Sequence, residues 1–196
     1  MKTSAEIIAH VDGASRGNPG PAAYAVVMET AAGEQVAEFT KFLGETTNNF
    51  AEYQGLLAAL EFALTHQHLH LRVVTDSELM ARQISGRYKV RSTDLKPLHD
   101  KAQSMIARLE SFSIRHVLRE HNREADRLAN KALDAAAAGS VTPAAEPRAI
   151  FPRASSDTQT EPLRTAAAFH NGVLKPRTQL PLDDGEEVDL EVRRRK

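Results

Sequence analysis

Hydrophobic positions along the chain change their period several times. Ile7-Ile8-Ala9-His10-Val11 is a short apolar run closed by Asp12, and Tyr24-Ala25-Val26-Val27-Met28 is a second. Runs of this length bounded by turn residues read as buried strands. Ala32-Gly33-Glu34 turns the chain, and Val36 to Leu43 follows as a third strand with partial alternation. From Asn49 to Leu64 the apolar residues Phe50, Tyr53, Leu56, Leu57, Leu60 and Leu64 recur at helical spacing. Leu69 to Thr75 predicts a fourth strand and Ser77 to Ile84 a short helix. Ser92 or Thr93 caps a further helix through Leu109, with Pro97 tolerated in its first turn. Phe112 to Leu118 predicts a fifth strand, and Arg123 to about Ala138 a closing helix. The order β-β-β-α-β-α-α-β-α implies an α/β fold, a mixed five-stranded sheet flanked by helices.

The periodicity fades near Gly139. Residues 139–162 are rich in Ala, Pro, Ser and Thr, as a flexible linker is. Patterning returns in residues 163–196. Ala166 to His170 predicts a strand, Asn171-Gly172 a two-residue hairpin turn, and Val173 to Lys175 the return strand. Val188-Asp189-Leu190-Glu191-Val192 alternates as a half-buried strand does, and Arg193 to Lys196 is a basic end. The expected organisation is a domain over 1–138, a linker over 139–162 and a small β segment over 163–196.

Composition narrows the classes of function. Of 196 residues, 41% are apolar, enough for a real core. Formal net charge is −1, so a polyanion must be held by a local patch rather than by a globally basic surface. The absence of cysteine excludes disulfides, thiolate metal sites and cysteine nucleophiles. Met1 to Glu6 has no signal-peptide core, and no stretch approaches the roughly 20 apolar residues of a membrane span. A soluble, cytoplasmic protein is expected.

Candidate chemistry lies in Asp12, Glu52, Asp76 and Asp126, which fall in separate segments. Asp12 and Asp76 end predicted strands; Glu52 and Asp126 lie about one turn into predicted helices. Singly, each reads more readily as a cap, dipole or turn residue than as a catalytic one. Together, carboxylates are costly to bury unless something neutralises them, and hard oxygen donors suit Mg²⁺ or Mn²⁺. Two such ions roughly 4 Å apart serve in-line displacement at phosphorus without a protein nucleophile.

The ordered segments Asp12-Gly13-Ala14-Ser15-Arg16-Gly17-Asn18-Pro19-Gly20, Thr46-Thr47-Asn48-Asn49-Phe50-Ala51-Glu52, Thr75-Asp76-Ser77 and Asn122-Arg123-Glu124-Ala125-Asp126-Arg127-Leu128-Ala129-Asn130 carry a resemblance. Residues 6–138 resemble ribonuclease HI. The resemblance implies a ribonuclease H-like fold and an endonuclease that cuts the RNA strand of RNA–DNA hybrids with two Mg²⁺, leaving 5′-phosphate and 3′-hydroxyl ends. It implies Asp12, Glu52, Asp76 and Asp126 as metal ligands. It places Asn18 and Asn49 near RNA sugars, and Asn48 and Thr46 near the DNA strand, Thr46 as a phosphate-pocket hydroxyl. The 2′-hydroxyl is the discriminator such residues would read. Thr46 to Asn49 equally suit the capping of the helix that follows.

Two features depart from the family. Members with a long loop before the last helix have a His there that helps product leave; here that loop is only Val117 to Asn122. Arg119 is the first candidate substitute, as a fixed cation for a phosphate, and His121 the second. Some members also insert a basic helix and loop where this chain has only Ser85 to Ser92. Arg87, Lys89 and Arg91 replace it in part, which predicts weak, salt-sensitive hybrid binding. The family often has Gln where Glu78 stands; a carboxylate there repels phosphate, so Glu78 is left outside the site. His66, His68 and His70 read as exposed loop and strand residues.

The tail, from Phe169 to Pro176 and from Leu180 to Val192, resembles a small antitoxin-like β-domain whose members pair as dimers. About thirty residues do not easily bury a self-sufficient core, so homodimerisation through this segment, or docking on the first domain, is expected. Rival readings are a nuclease of the same fold acting on double-stranded RNA or branched DNA, and a regulatory binding protein.

Overall fold

The computed structural model describes residues 6–138, and the backbone of 148–149, 167–170 and 173–176. The chain divides into two units, Met1–Ala154 and Ser155–Lys196.

In the first unit, strands β1 (Ile7–Ser15), β2 (Gly20–Thr30) and β3 (Gln35–Thr46) form an antiparallel meander. Helix α1 (Asn48–Thr65) leads to β4 (His70–Thr75), which adds parallel to β1. Helices α2 (Glu78–Ile84) and α3 (Leu95–Ile106) lead to β5 (Ser111–His116), parallel to β4. A single 3₁₀ turn, Arg119–His121, precedes α4 (Arg123–Ala137). The sheet order is β5-β4-β1-β2-β3-β6, the expected mixed five-stranded sheet extended at one edge. Strand β6 is only Arg148–Ala149, which lies inside the stretch read as linker and pairs with Ala37 and Glu38 of β3.

Strands run longer than the apolar runs that announced them. Cross-strand pairing continues past Asp12 to Ser15, which faces Ala22. Small residues at 13–15 and 20–23 hide this extension, because β propensity there is weak. Caps set two helix starts: Thr47 Oγ1 accepts from Phe50 N at 3.3 Å, and Ser77 Oγ accepts from Met80 N at 3.3 Å. The α3 start is also tied by Ser92, whose hydroxyl accepts from Leu95 N at 3.3 Å.

Alternation along β1 and β2 splits the core between the faces. Ile7, Ala9, Val11, Val26 and Met28 join Leu56, Leu60 and Met105 on one face; Ala25 and Val27 join Leu128 and Ala129 on the other. The histidines after α1 are less exposed than their sequence suggests. His66 and His68 stack with Phe62, centroids 4.0 and 6.2 Å away, because this aromatic surface at the helix end gains from being covered. Among the described residues no helix is long and apolar enough to cross a membrane.

In the second unit, β7 (Ala167–His170) and β8 (Val173–Pro176) pair antiparallel, with His170 opposite Val173. This matches the strand, two-residue connection and return strand read from the sequence. The predicted strand Val188 to Val192 and most of the expected linker lie outside the described residues.

Candidate active site

The parallel register of β1 and β4 sets Val11 against Thr75. The next residues, Asp12 and Asp76, therefore lie side by side where the pairing of the two strands stops, Asp12 inside β1 and Asp76 just past the end of β4. Each carboxyl stands close enough to the other for the Asp76 charge to push the Asp12 pKa up. Asp12 is only 5% exposed and Glu52 7%. Glu52 reaches them because the backbones of β1 and α1 nearly touch: a Cβ on Gly13 would stand 2.4 Å from Glu52 N. No residue larger than glycine fits there without moving a strand or a helix.

Glu52 is fixed from two sides. Asn48 Nδ2 donates to Oε1 at 2.8 Å, and the Ser77 hydroxyl donates to Oε2. Ser77 thus serves both α2, as its cap, and the carboxylate cluster. Asp126 comes from α4, one turn after Asn122. Asn130 Nδ2 donates to the Asp126 carbonyl at 2.9 Å and lies 3.3 Å from Oδ1. Arg119, 70% exposed at its side chain, donates to Asp126 Oδ1 through Nε at 3.1 Å and through Nη2.

Together these groups line an open cleft of about 260 Å³, bounded by Asp12, Glu52, Asp76, Asp126, Asn48, Arg119 and Asn130 with the backbone of Gly13 to Ser15. Burial, then the neighbouring Asp76, Asp126 and Glu52 charges, raises the Asp12 pKa from 3.8 to about 8. Burial also raises Glu52 from 4.5 to about 7, against the lowering effect of the Ser77 and Asn48 hydrogen bonds. Such a cluster favours whatever brings positive charge, whether protons or cations. Arg119 already supplies one at Asp126. Among the described residues, no three carboxylates or histidines converge on one point as a closed cage. The carboxylates line the walls of the cleft instead, and Asp126 is turned onto Arg119.

The sequence-predicted residues distribute unevenly. Asp12, Glu52, Asp76, Asp126, Arg119 and Asn48 meet in the cleft. Asn18 stands outside it, at the surface, where its Oδ1 accepts from Asn48 N at 3.2 Å and ties the Gly-rich loop to the start of α1. Thr46 ends β3 opposite Gly20, and Asn49 lies half-buried in the first turn of α1. His121 points to solvent, 3.6 Å from Glu120. Glu78 pairs with Arg82, which satisfies its charge away from the cleft.

Sequence reasoning missed the parts played by Gly13, Ser77 and Asn130. Each lay inside a recognised segment, but none is a conventional catalytic residue type. The available signal was position: each is within four residues of a carboxylate.

A family model described as reverse transcriptase-like matches residues 10–132, more than half of the chain and all of the cleft. The chain belongs to the ribonuclease H family. A ribonuclease HI of Halobacterium salinarum is 42% identical over 126 residues, 64% of this chain and 63% of that protein. The solved N-terminal RNase H domain of a Mycobacterium tuberculosis protein is 42% identical, with a TM-score of 0.67 over 70% of this chain and 99% of that one. An RNase H1 solved in complex with an RNA/DNA hybrid is 39% identical, with a TM-score of 0.63 over 67% of this chain and 99% of that one. The chain spans 44% of the length of the full M. tuberculosis relative, which is called bifunctional.

Proposed function

We propose that this chain is a ribonuclease H, an endonuclease that hydrolyses the RNA strand of RNA–DNA hybrids and leaves 5′-phosphate and 3′-hydroxyl ends. The observation that carries this reading is the meeting of Asp12, Glu52, Asp76 and Asp126, from separate segments, in one cleft of a ribonuclease H fold. The hybrid bound by a relative 39% identical supports the substrate. An all-oxygen donor set whose charge Arg119 compensates only at Asp126, with Asp12 and Glu52 both pushed up in pKa, fits hard divalent cations such as Mg²⁺, with Mn²⁺ as a substitute. Two such ions would lower the pKa of an attacking water and stabilise the leaving oxygen.

The chain's own residues divide the remaining work. Asp12, Glu52, Asp76 and Asp126 hold the ions. Asn48 and Ser77 keep Glu52 aimed at them. Arg119 balances Asp126 before ions enter and offers a fixed cation to a phosphate at the cleft mouth. Asn18, Asn49, Asn48 and Thr46 lie along the Gly-rich loop and the α1 start, where amides and a hydroxyl suit sugar and phosphate contacts without fixing sequence. The division into 1–138, 139–162 and 163–196, pairing of the last segment with a second copy, and a cytoplasmic location have their support in sequence.

Competition tests the substrate. A labelled RNA–DNA hybrid is cut in the presence of excess duplex RNA, duplex DNA or branched DNA, by wild type and by Asp76→Asn. Cleavage suppressed only by unlabelled hybrid, and absent from the variant, is expected. Preferential cutting of duplex RNA or branched DNA would replace the proposed substrate.

A further inference from the structure

Asn122 is a deeply buried polar side chain near the cleft that none of the roles above uses. It is 2% exposed. It stands at the start of α4, where asparagine is a favoured cap, yet its side chain makes no cap hydrogen bond. Its Nδ2 instead donates to the Val11 carbonyl at 3.0 Å, across 111 residues of sequence. Its Oδ1 is buried without a partner. Local stability is forfeited twice, once at the cap and once at the orphan oxygen, in favour of a single bond to β1. Conflicts of this kind between local preference and overall structure concentrate at functional sites.

The bond joins two ligand-bearing elements, the start of α4 and strand β1. Val11 immediately precedes Asp12. On the other side, Asp126 N donates to the Asn122 carbonyl at 3.1 Å, and Asn122 N donates to the Arg119 carbonyl at 3.0 Å. The side chain of Asn122 therefore ties the turn carrying Arg119 and the helix carrying Asp126 to the strand carrying Asp12. From the solvent side, Arg119 draws on the Asp126 carboxylate. From within, Asn122 sets where that carboxylate starts.

We infer that Asn122 is a positioning residue for the ion site, fixing Asp126 relative to Asp12 through its bond to the Val11 carbonyl. This rests on the reading of the cleft as an ion-binding site. Groups that orient ligands without touching the ion typically change affinity by about 10–100-fold when removed.

The test is calorimetric titration of the substrate-free chain with Mn²⁺ and Mg²⁺, for wild type, Asn122→Ala and Asn122→Leu. Leucine keeps the branched heavy-atom shape, removes the donor and the orphan oxygen, and adds no charge. It protects the test if alanine prevents folding. Thermal melts of the same samples establish that each is folded. The expected result is ion binding by wild type and binding at least about tenfold weaker in the folded variants. Hybrid cleavage at saturating ion should then recover most of its rate, with KM for hybrid little changed. Folded variants that bind ions as wild type does would overturn the positioning role and leave the ion site standing. Wild type that binds no ion would overturn both.

Discussion

On the face of the sheet covered by α1, side chains of Ile7, Val11, Val26 and Met28 meet Leu56, Leu60, Phe62 and Met105 in a broad core. On the face covered by α4, the buried cluster is Ala25, Val27, Leu128 and Ala129, with Ala14 against it. Apolar stabilisation scales with area removed from water, so α1 is held chiefly by packing while α4 has much less of it. The difference matters because the carboxylates are split between these elements. Asp12 and Glu52 are set by the strand–helix contact at Gly13. Asp126 rides on α4, which depends on polar ties: Asn122 to β1, and Arg16 to Asp134 at the surface. The α1 side thus provides a rigid half of the cleft and the α4 side a half placed by hydrogen bonds.

The largest expected effect is within the rigid half. Asp12→Asn should lower hybrid cleavage at least ~100-fold, since ion-mediated charge stabilisation is worth several kcal/mol, while the variant's melt rises or stays level in EDTA. Retained cleavage would remove Asp12 from the chemistry. Gly13→Ala comes next. Its methyl must displace backbone, so overpacking should cost about 1–3 kcal/mol of stability and misplace Glu52. Denaturant melts together with kcat measure the two parts.

A pair of truncations sharpens the contrast between the faces. Leu60→Ala, at a fully buried site in the broad core, should cost about 2–5 kcal/mol yet leave the folded fraction active. Leu128→Ala should cost less, near about 2 kcal/mol, and lose the larger share of activity per folded molecule. The reverse ordering in activity would mean that α4 is not the adjustable half.

Charge in the cleft makes stability depend on pH. The folded pKa values of Asp12 and Glu52 are raised to about 8 and about 7, so the ion-free folded chain holds protons that the unfolded chain has released. Their contribution to stability is complete below about pH 4 and is lost as pH climbs through about 8. Melts in EDTA should decline across that window, and a divalent ion should raise the melt most at its alkaline end. A flat profile would show that the carboxyls are not desolvated. The smallest effect is Arg119→Ala. Its exposed pair should be worth less than about 1 kcal/mol to stability, while turnover falls and KM for hybrid rises.

Element types and their order were legible because the apolar period switches cleanly, as between Val36 to Leu43 and Phe50 to Leu64. The carboxylates were legible as a set because each closes an apolar run or lies in the opening turns of a helix within a specific segment. Positions defined by close approach were not. Gly13 looks like any turn glycine until α1 is laid against it, and Asn122 looks like a cap until its amide is found on β1. Both depend on partners 38 or more residues away, which periodicity does not encode. The extensions of β1 and β2 were hidden by small residues whose strand preference is weak. The His66 and His68 stack was missed because aromatic cover at a helix end has no periodic signature.

The most direct test of the account is cleavage of a hybrid labelled separately on each strand, with Mg²⁺, Mn²⁺ or EDTA. Ion-dependent cutting of the RNA strand alone is expected, with no product in EDTA. Cutting that persists in EDTA, or no cutting by folded chain with either ion, would contradict it.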